Sequence, residues 1–445
     1  MKTIKTSLLI TVLLILFSGF DGKAQGKTWT LEECINYALN KNISIQKTVL
    51  TNDRNQLTAD QAQANRLPSL NASASENFNW YKGFDSSTGS YGSSKGSNST
   101  NLSLNSSVSL FNGEKLANKI KQAELDLQSG RFYSESVKES VGLNILNAYL
   151  QVLYAYESVS NAQKQIVSTT EQLNLAKERM DLGVISVSDY LQIKSELATE
   201  KSTLASAQSQ LSMGKVTLMQ LMELPVDPNF EITSPNFDNL LVDSAQPNAQ
   251  DIYNQALGIK PQIKNAELSK ESAKLGVEIA KADALPSLSM NAGLSTGYSS
   301  LTTNSDYTGQ LKDKVNPSIG FSLSIPIFQK KQIKTNIASA NISVTDAELT
   351  EISTKNDLRK SIEQACADVA SAKSQYVASQ EQNQSSKESY DVTTEKYNQG
   401  LINSVDYLIQ KTNLITSESK LLQSKFNLIF SFKVVDFYKG IPLAL

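Results

Sequence analysis

The chain is one unit written twice, and this duplication limits what it can fold into more than any other feature. Leu67-Pro68-Ser69-Leu70 recurs as Leu285-Pro286-Ser287-Leu288, 218 residues later. Val108-Ser109-Leu110-Phe111 matches Ile325-Pro326-Ile327-Phe328 at an offset of 217. Gly183-Val184-Ile185 with Asp189-Tyr190-Leu191 matches Gly400-Leu401-Ile402 with Asp406-Tyr407-Leu408, also at 217. Ala38-Leu39 matches Ala256-Leu257, and Leu224-Pro225 matches Ile441-Pro442. A period this long is too large for a solenoid and marks a duplicated, domain-sized unit.

Each unit has the same internal order. A helix comes first, over 31–66 and 249–285, with apolar residues at helical spacing such as Ile35, Ala38, Leu39 and Ile252, Ala256, Leu257. A Leu-Pro pair ends it, because the residue before proline is pushed out of the α region. Two strands follow, over 69–81 and 101–111 in the first unit and 287–298 and 317–328 in the second. Their period-two alternation gives each a greasy side and a wet side, with Ile319, Phe321, Leu323, Ile325 and Ile327 on the greasy one. The Gly-, Ser-, Asn- and Tyr-rich stretches between them read as exposed hairpin tips. Long helices with almost no breakers span 113–182 and 329–399. Return helices follow Gly183 and Gly400, over 186–223 and 403–438.

The return helices carry heptad stripes: Tyr190, Leu197, Leu204, Leu211 and Leu218, and Tyr407, Leu414, Leu421, Leu428 and Val435. Seven-residue spacing predicts coiled-coil packing, a structural seam. Phe111 to Gly183 is 72 residues, or ~108 Å as a helix. The return tract covers ~63 Å of that, and the first helix of the unit supplies a further ~54 Å. The repeats therefore span 25–225 and 249–445, joined by a proline-marked equatorial linker at 226–248.

Composition excludes most catalytic chemistry. The 445 residues contain no histidine and two cysteines, Cys34 and Cys366, so there is no Ser-His or Cys-His pair and no His- or four-Cys metal site. No cofactor and no enzyme activity are expected. A net charge of −2 argues against a nucleic-acid face. Both cysteines read as small buried thiols, with a disulfide between them the open alternative. Residues 1–24 read as a signal peptide: Lys2 and Lys5, an apolar run from Leu8 to Phe17, and small residues before cleavage at Ala24.

Strands of this length suit the crossing of a bilayer as part of a barrel. Four strands cannot close a barrel, and open edges are not tolerated in lipid, so several copies must share one. Phe78, Trp80, Tyr81 and Tyr298 near one strand end, and Phe111 and Phe328 near the other, fit interfacial girdles. Two alternatives stand beside this: half-buried strands of a soluble sandwich, and a coiled-coil surface protein or adhesin without channel activity.

The duplicated order, with the glycine-centred turns Met180-Asp181-Leu182-Gly183-Val184-Ile185-Ser186-Val187-Ser188-Asp189 and Tyr397-Asn398-Gln399-Gly400-Leu401-Ile402-Asn403-Ser404-Val405-Asp406, resembles the TolC family of outer-membrane efflux channels. The resemblance covers essentially the whole mature chain. It implies a mainly α fold with a β-barrel part: a homotrimer in the outer-membrane lipid with a 12-stranded barrel continued by a 12-helix periplasmic tunnel. It also implies a passive conduit for drugs, small molecules or proteins, fed by an inner-membrane pump through a periplasmic adaptor. By position, Tyr397 and Asp406 match gate residues of the second turn, and Ser188 and Asp189 their partners in the first. Gly183, Val184, Ile185, Gly400, Leu401 and Ile402 match the adaptor-docking tip. Where well-known members carry an arginine and a second carboxylate, two and nine residues after the glycine, this chain has Ile402 and Ile409. From the residues alone, Asp189 and Asp406 equally suit helix N-caps, and the two glycines C-caps.

Overall fold

The computed structural model describes residues 28–235 and 246–445. The expected signal peptide and residues 236–245 of the expected linker lie outside the described residues. Elements follow in the order β1 (Thr28–Trp29), α1 (Leu31–Lys41), α2 (Ile43–Ala64), β2 (Ser69–Tyr81), β3 (Phe84–Asp85), β4 (Ser90–Tyr91), β5 (Lys95–Phe111), α3 (Lys115–Asp181) and α4 (Val187–Leu221). Then come β6 (Glu231–Ile232), α5 (Ala249–Ile259), α6 (Pro261–Ala282), β7 (Ser287–Ser299), α7 (Tyr307–Asp313), β8 (Asn316–Ser324), α8 (Gln332–Asn398) and α9 (Ser404–Tyr438).

The long helices α3 and α8 are each 67 residues, or ~100 Å. The return helices α4 and α9 are each 35. These match the expected elements to within three residues at each end. The first helix of each repeat differs: it is broken once, at Asn42 and at Lys260, where ψ swings to 127° and 124°. Pro261 forces the break at Lys260, since the residue before proline avoids the α region. At Asn42 the side chain replaces the helix, accepting from Ser44 N at 2.9 Å and donating to Leu221 O at 3.2 Å.

Strand bounds shift as well. The strand expected at 101–111 begins at Lys95, and the one expected at 317–328 is β8, which stops at Ser324. Pro326 has no N–H for a ladder bond, so Ile325 and Ile327 fall beyond the strand. The two expected hairpin tips carry structure of their own: the β3–β4 pair in one and α7 in the other. A short parallel pair, β1 with β6, was not legible at all.

The chain divides into two compact units that cut across the repeats. One comprises Lys47–Ser136 and Lys260–Leu358. It holds a four-stranded antiparallel sheet in the order β2-β5-β7-β8. Register places Leu104 opposite Ala72 and Leu294, and Met290 opposite Phe321, so the greasy residues of all four strands share one face. The other face carries Ser, Asn and Gly: Ser73 opposite Ser103, Ser103 opposite Ser295, Asn291 opposite Gly320. A register shift between Ser109 and Phe111 brings Phe111 opposite Leu288 on the greasy face. In the same unit α3 runs against α6 through polar contacts. Ser272 Oγ donates to Asp126 at 2.6 Å, and Ser129 and Ser269 hydroxyls meet at 3.0 Å.

The other unit comprises residues to Gln46, Val137–Ile259 and Arg359–Leu445. Its core joins Leu31, Cys34 and Ala38 of α1 to Ile145, Tyr149 and Val152 of α3, Leu218 of α4 and Met222 just after it, and Ile429 of α9. The Tyr149 hydroxyl lies 2.6 Å from Thr233 O and 3.1 Å from Trp29 O, tying β1 and the residue after β6 to α3. Neither cysteine is in a disulfide, Cys34 lying in this core and Cys366 half-buried, so the disulfide alternative does not hold. Every heptad-stripe residue of α4 and α9 is buried or half-buried. Among the described residues no helix is long and apolar enough to cross a membrane.

Candidate functional site

The two helical tips are built alike. Leaving α3, the chain turns at Gly183 with φ 75°; leaving α8, it turns at Gly400 with φ 74°. That left-handed backbone strains any residue with a Cβ, which is why glycine stands there. Val184 N donates to Arg179 O at 2.8 Å and Gly183 N to Met180 O at 2.9 Å. Leu401 and Gly400 repeat the pair, to Lys396 O at 2.9 Å and Tyr397 O at 3.1 Å. Both are Schellman closures that satisfy the last carbonyls of a helix.

The return helices open on side-chain caps. Ser186 Oγ accepts from Asp189 N at 3.1 Å, while the Asp189 carboxylate accepts from Ser186 N at 3.2 Å, a capping box. Asn403 Oδ1 accepts from Asp406 N at 2.9 Å, so the N-caps are Ser186 and Asn403, and Asp189 and Asp406, expected as N-caps, stand three residues further on. Val184 and Leu401 are exposed at the turns, and Ile185 and Ile402 are half-buried.

The structure joins some of the expected gate residues and not others. The buried Ser404 hydroxyl donates to Asp189 and sits equally close to the Gln192 amide oxygen. The hydroxyls of Ser186 and Ser404 hold the Asp189 carboxyl below the usual carboxylate range. Ser188, expected as a partner, is exposed and makes no side-chain hydrogen bond among the described residues. The reason is position: Ser186, three residues before Asp189, is the one placed to cap. Asp406 is exposed, and among the described residues its carboxylate has no hydrogen bond or ion pair. Ile409, where the family pattern has a carboxylate, lines an open groove of about 420 Å³ with Val405, Leu408 and Gln192.

Tyr397 belongs to an aromatic stack. Its ring lies 4.9 Å from that of Tyr407 at 22°, and Tyr407 donates to or accepts from Tyr390 at 2.9 Å. Gln172 Nε2 of α3 donates to Tyr390 Oη at 3.0 Å. Burial raises the Tyr397 hydroxyl above the usual phenol range, and the Asp189 charge adds to it. Arg179 donates to the carbonyls of Asn398 at 2.9 Å and Tyr397 at 3.4 Å, so a cation from the first tip meets the negative end of α8. An arginine is thus at the tip, but on a different helix from the one the family pattern suggests.

Sequence reasoning missed one buried charge group. Lys411 Nζ lies 2.8 Å from Glu200 Oε1, with each side chain 5% exposed. Thr169 Oγ1 donates to Glu200 Oε2 at 2.5 Å and contacts Lys411. The signal was available: Glu200 sits seven residues from buried Ile193 and from buried Ala207. A charge at a seam position needs a partner.

A model of the outer membrane efflux protein family matches residues 34–223 and 252–429. The chain is 22% identical over 430 residues to outer membrane protein TolC of Escherichia coli, covering 95% of this chain and 84% of that protein. The fold superposes on CusC with a TM-score of 0.81 at 18% identity, covering 95% of this chain and 96% of that one. It superposes on the outer membrane protein VceC of Vibrio cholerae with a TM-score of 0.77 at 18% identity, covering 92% and 96%. With its duplicated helix–strand–helix units and paired glycine tips, the chain belongs to the outer membrane efflux protein family.

Proposed function

We propose that three copies of this chain form the exit duct of a tripartite pump. The protein is an outer-membrane efflux channel and not an enzyme. The adhesin alternative falls with that membership. The trimer, the partners and the cargo belong to this proposal.

The observation that carries it is the four-stranded sheet. One face is apolar and the other is Ser, Asn and Gly, while among the described residues the outer edges of β2 and β8 are unpaired. Such edges are not tolerated in lipid. Three copies, the number the family resemblance implies, supply twelve strands. The polar faces then line a water-filled duct, and Ile319, Phe321 and Leu323 face lipid. Aqueous passage needs no reaction chemistry, so the energy comes from an inner-membrane pump of unspecified class.

The tips serve as gate and docking surface in this reading. Exposed Val184 and Leu401, with Ile185 and Ile402 beside them, present an apolar edge to a periplasmic adaptor. The unpartnered Asp406 carboxylate forms one ring per trimer, where cations bind. Tyr397, Asp189 and Ser404 hold neighbouring tip helices together and resist dilation. Drugs, other small molecules and proteins are the cargo classes.

The test is outer-membrane fractionation, mass measurement in detergent and conductance in planar bilayers. A three-copy particle with steady conductance is expected, and a soluble monomer without conductance would sink the proposal. Asp406→Ala should alter conductance or cation block. An unchanged channel would reduce Asp406 to a position beside a cap.

A further inference from the structure

The register inside one chain carries over to the contact between two chains. The two repeats pair their own strands identically. Ser69↔Ser107 and Ala74↔Leu102 of β2 and β5, moved by the repeat offsets of 218 and 217, become Ser287↔Ser324 and Ala292↔Ile319. Both are observed pairs of β7 and β8. Among the described residues, β5 against β7 is the strand seam that joins one repeat to the next. The free edges are β8, the equivalent of β5, and β2, the equivalent of β7.

We propose that β8 takes β2 of a second copy in the register that β5 takes β7. This rests on the shared barrel proposed above and adds its residue-level seam. Applying the same offsets, Ser103↔Ser295 becomes Gly320 opposite Asn77 of the second copy. Leu102↔Thr296 becomes Ile319 opposite Phe78, and Ser99↔Ser299 becomes Asn316 opposite Tyr81.

Three observations support this register over its neighbours. First, the strand ends coincide. Asn316 is the first residue of β8 and Tyr81 the last of β2, so neither strand overhangs at that end. Second, the faces agree: Ser318, Gly320 and Ser322 meet Asn79, Asn77 and Ser75, while Ile319 meets Phe78. Glu76, opposite Phe321, is turned to its own chain, where it accepts from Asn98 and Thr100. A slip of one residue would exchange the faces, although a slip of two would not. Third, the polar face of the internal seam pairs asparagine with glycine twice, Asn105↔Gly293 and Asn101↔Gly297. There the asparagine oxygens lie 3.3 and 3.2 Å from where a glycine Cβ would stand. Gly320 has open space at that point, and Asn77 is the side chain that fills it.

Past the end of β8 the same offsets set Ile325 opposite Ala72 of the second copy and, with a bulge like the one before Phe111, Phe328 opposite Leu70.

The test pairs Gly320→Cys with a cysteine at 73, 75, 77, 79 or 81 in the full chain in outer membranes. Mild oxidation and non-reducing gels follow, with the single variants as controls. Directly opposed Cβ atoms lie ~5 Å apart and diagonal ones ~7 Å, while disulfides need ~4 Å. Cross-linked dimer and trimer bands should peak with Asn77→Cys. A peak at another position overturns the register. No bands with a three-copy mass in detergent overturn the seam. No bands with a one-copy mass overturn the shared barrel beneath it.

Discussion

Lys330 and Lys331 hold left-handed backbone at φ 49° and 66°, in the turn where the first repeat has Gly113 at 63° and Glu114 at 66°. The duplication kept the turn and lost its glycine. Lys330→Gly should therefore raise stability by about 1 kcal/mol, less strain outweighing the looser unfolded chain. An unchanged or lower thermal midpoint in detergent would contradict this. Asp189 offers a pH test. A carboxyl held low when folded contributes stability above its unfolded value near 4, and loses it as pH falls through the folded value. Ser404→Ala removes one of its donors, so the Asp189 titration should move up toward about 4 by carboxyl NMR. A cap at this turn was legible but assigned to the wrong residue: Ser186 is the N-cap and Asp189 its partner three residues on. The Ser404 contact joins residues 215 apart in sequence, and no local pattern announces it.

The helices show the same division. Heptad stripes and glycine caps placed α3, α4, α8 and α9 to within three residues, because period and cap chemistry are local. The reading of 249–285 as one helix misses the break at Lys260, although Pro261 announces it. The break at Asn42 has no such signal: its side chain spans to Leu221 on another helix. The Glu200–Lys411 pair bridges α4 and α9 with Thr169 of α3. Removing one charge strands the other in the interior, so Glu200→Ala or Lys411→Ala should each cost about 3–5 kcal/mol. The double variant Glu200→Leu/Lys411→Met should recover most of it. Denaturant unfolding in detergent measures all three; equal losses for the singles and the double would refute the pairing.

For the whole molecule, sidedness of the sheet is what matters. Phe321 lies on the apolar face and Ser322 on the polar one, one residue apart. In an outer-membrane channel, Phe321→Arg should weaken folding into lipid vesicles by about 2–4 kcal/mol. Ser322→Arg should fold normally and shift ion selectivity instead. Equal effects of the two substitutions on folding would mean that the faces are not lipid and water.

The duplication, the order of elements, the two-faced strands and the glycine tips follow from the amino-acid sequence by itself. The duplication is a likeness of letters that needs no contact, and the others rest on residues close together in the chain, whose dihedral preferences and spacing act without knowledge of distant partners. Only the tertiary structure decided that the compact units cut across the repeats, that Ser404 and not Ser188 meets Asp189, and that Arg179 meets the end of α8. Those depend on which surfaces pack, and packing brings together residues some 215–242 apart whose chemistry is silent until they touch.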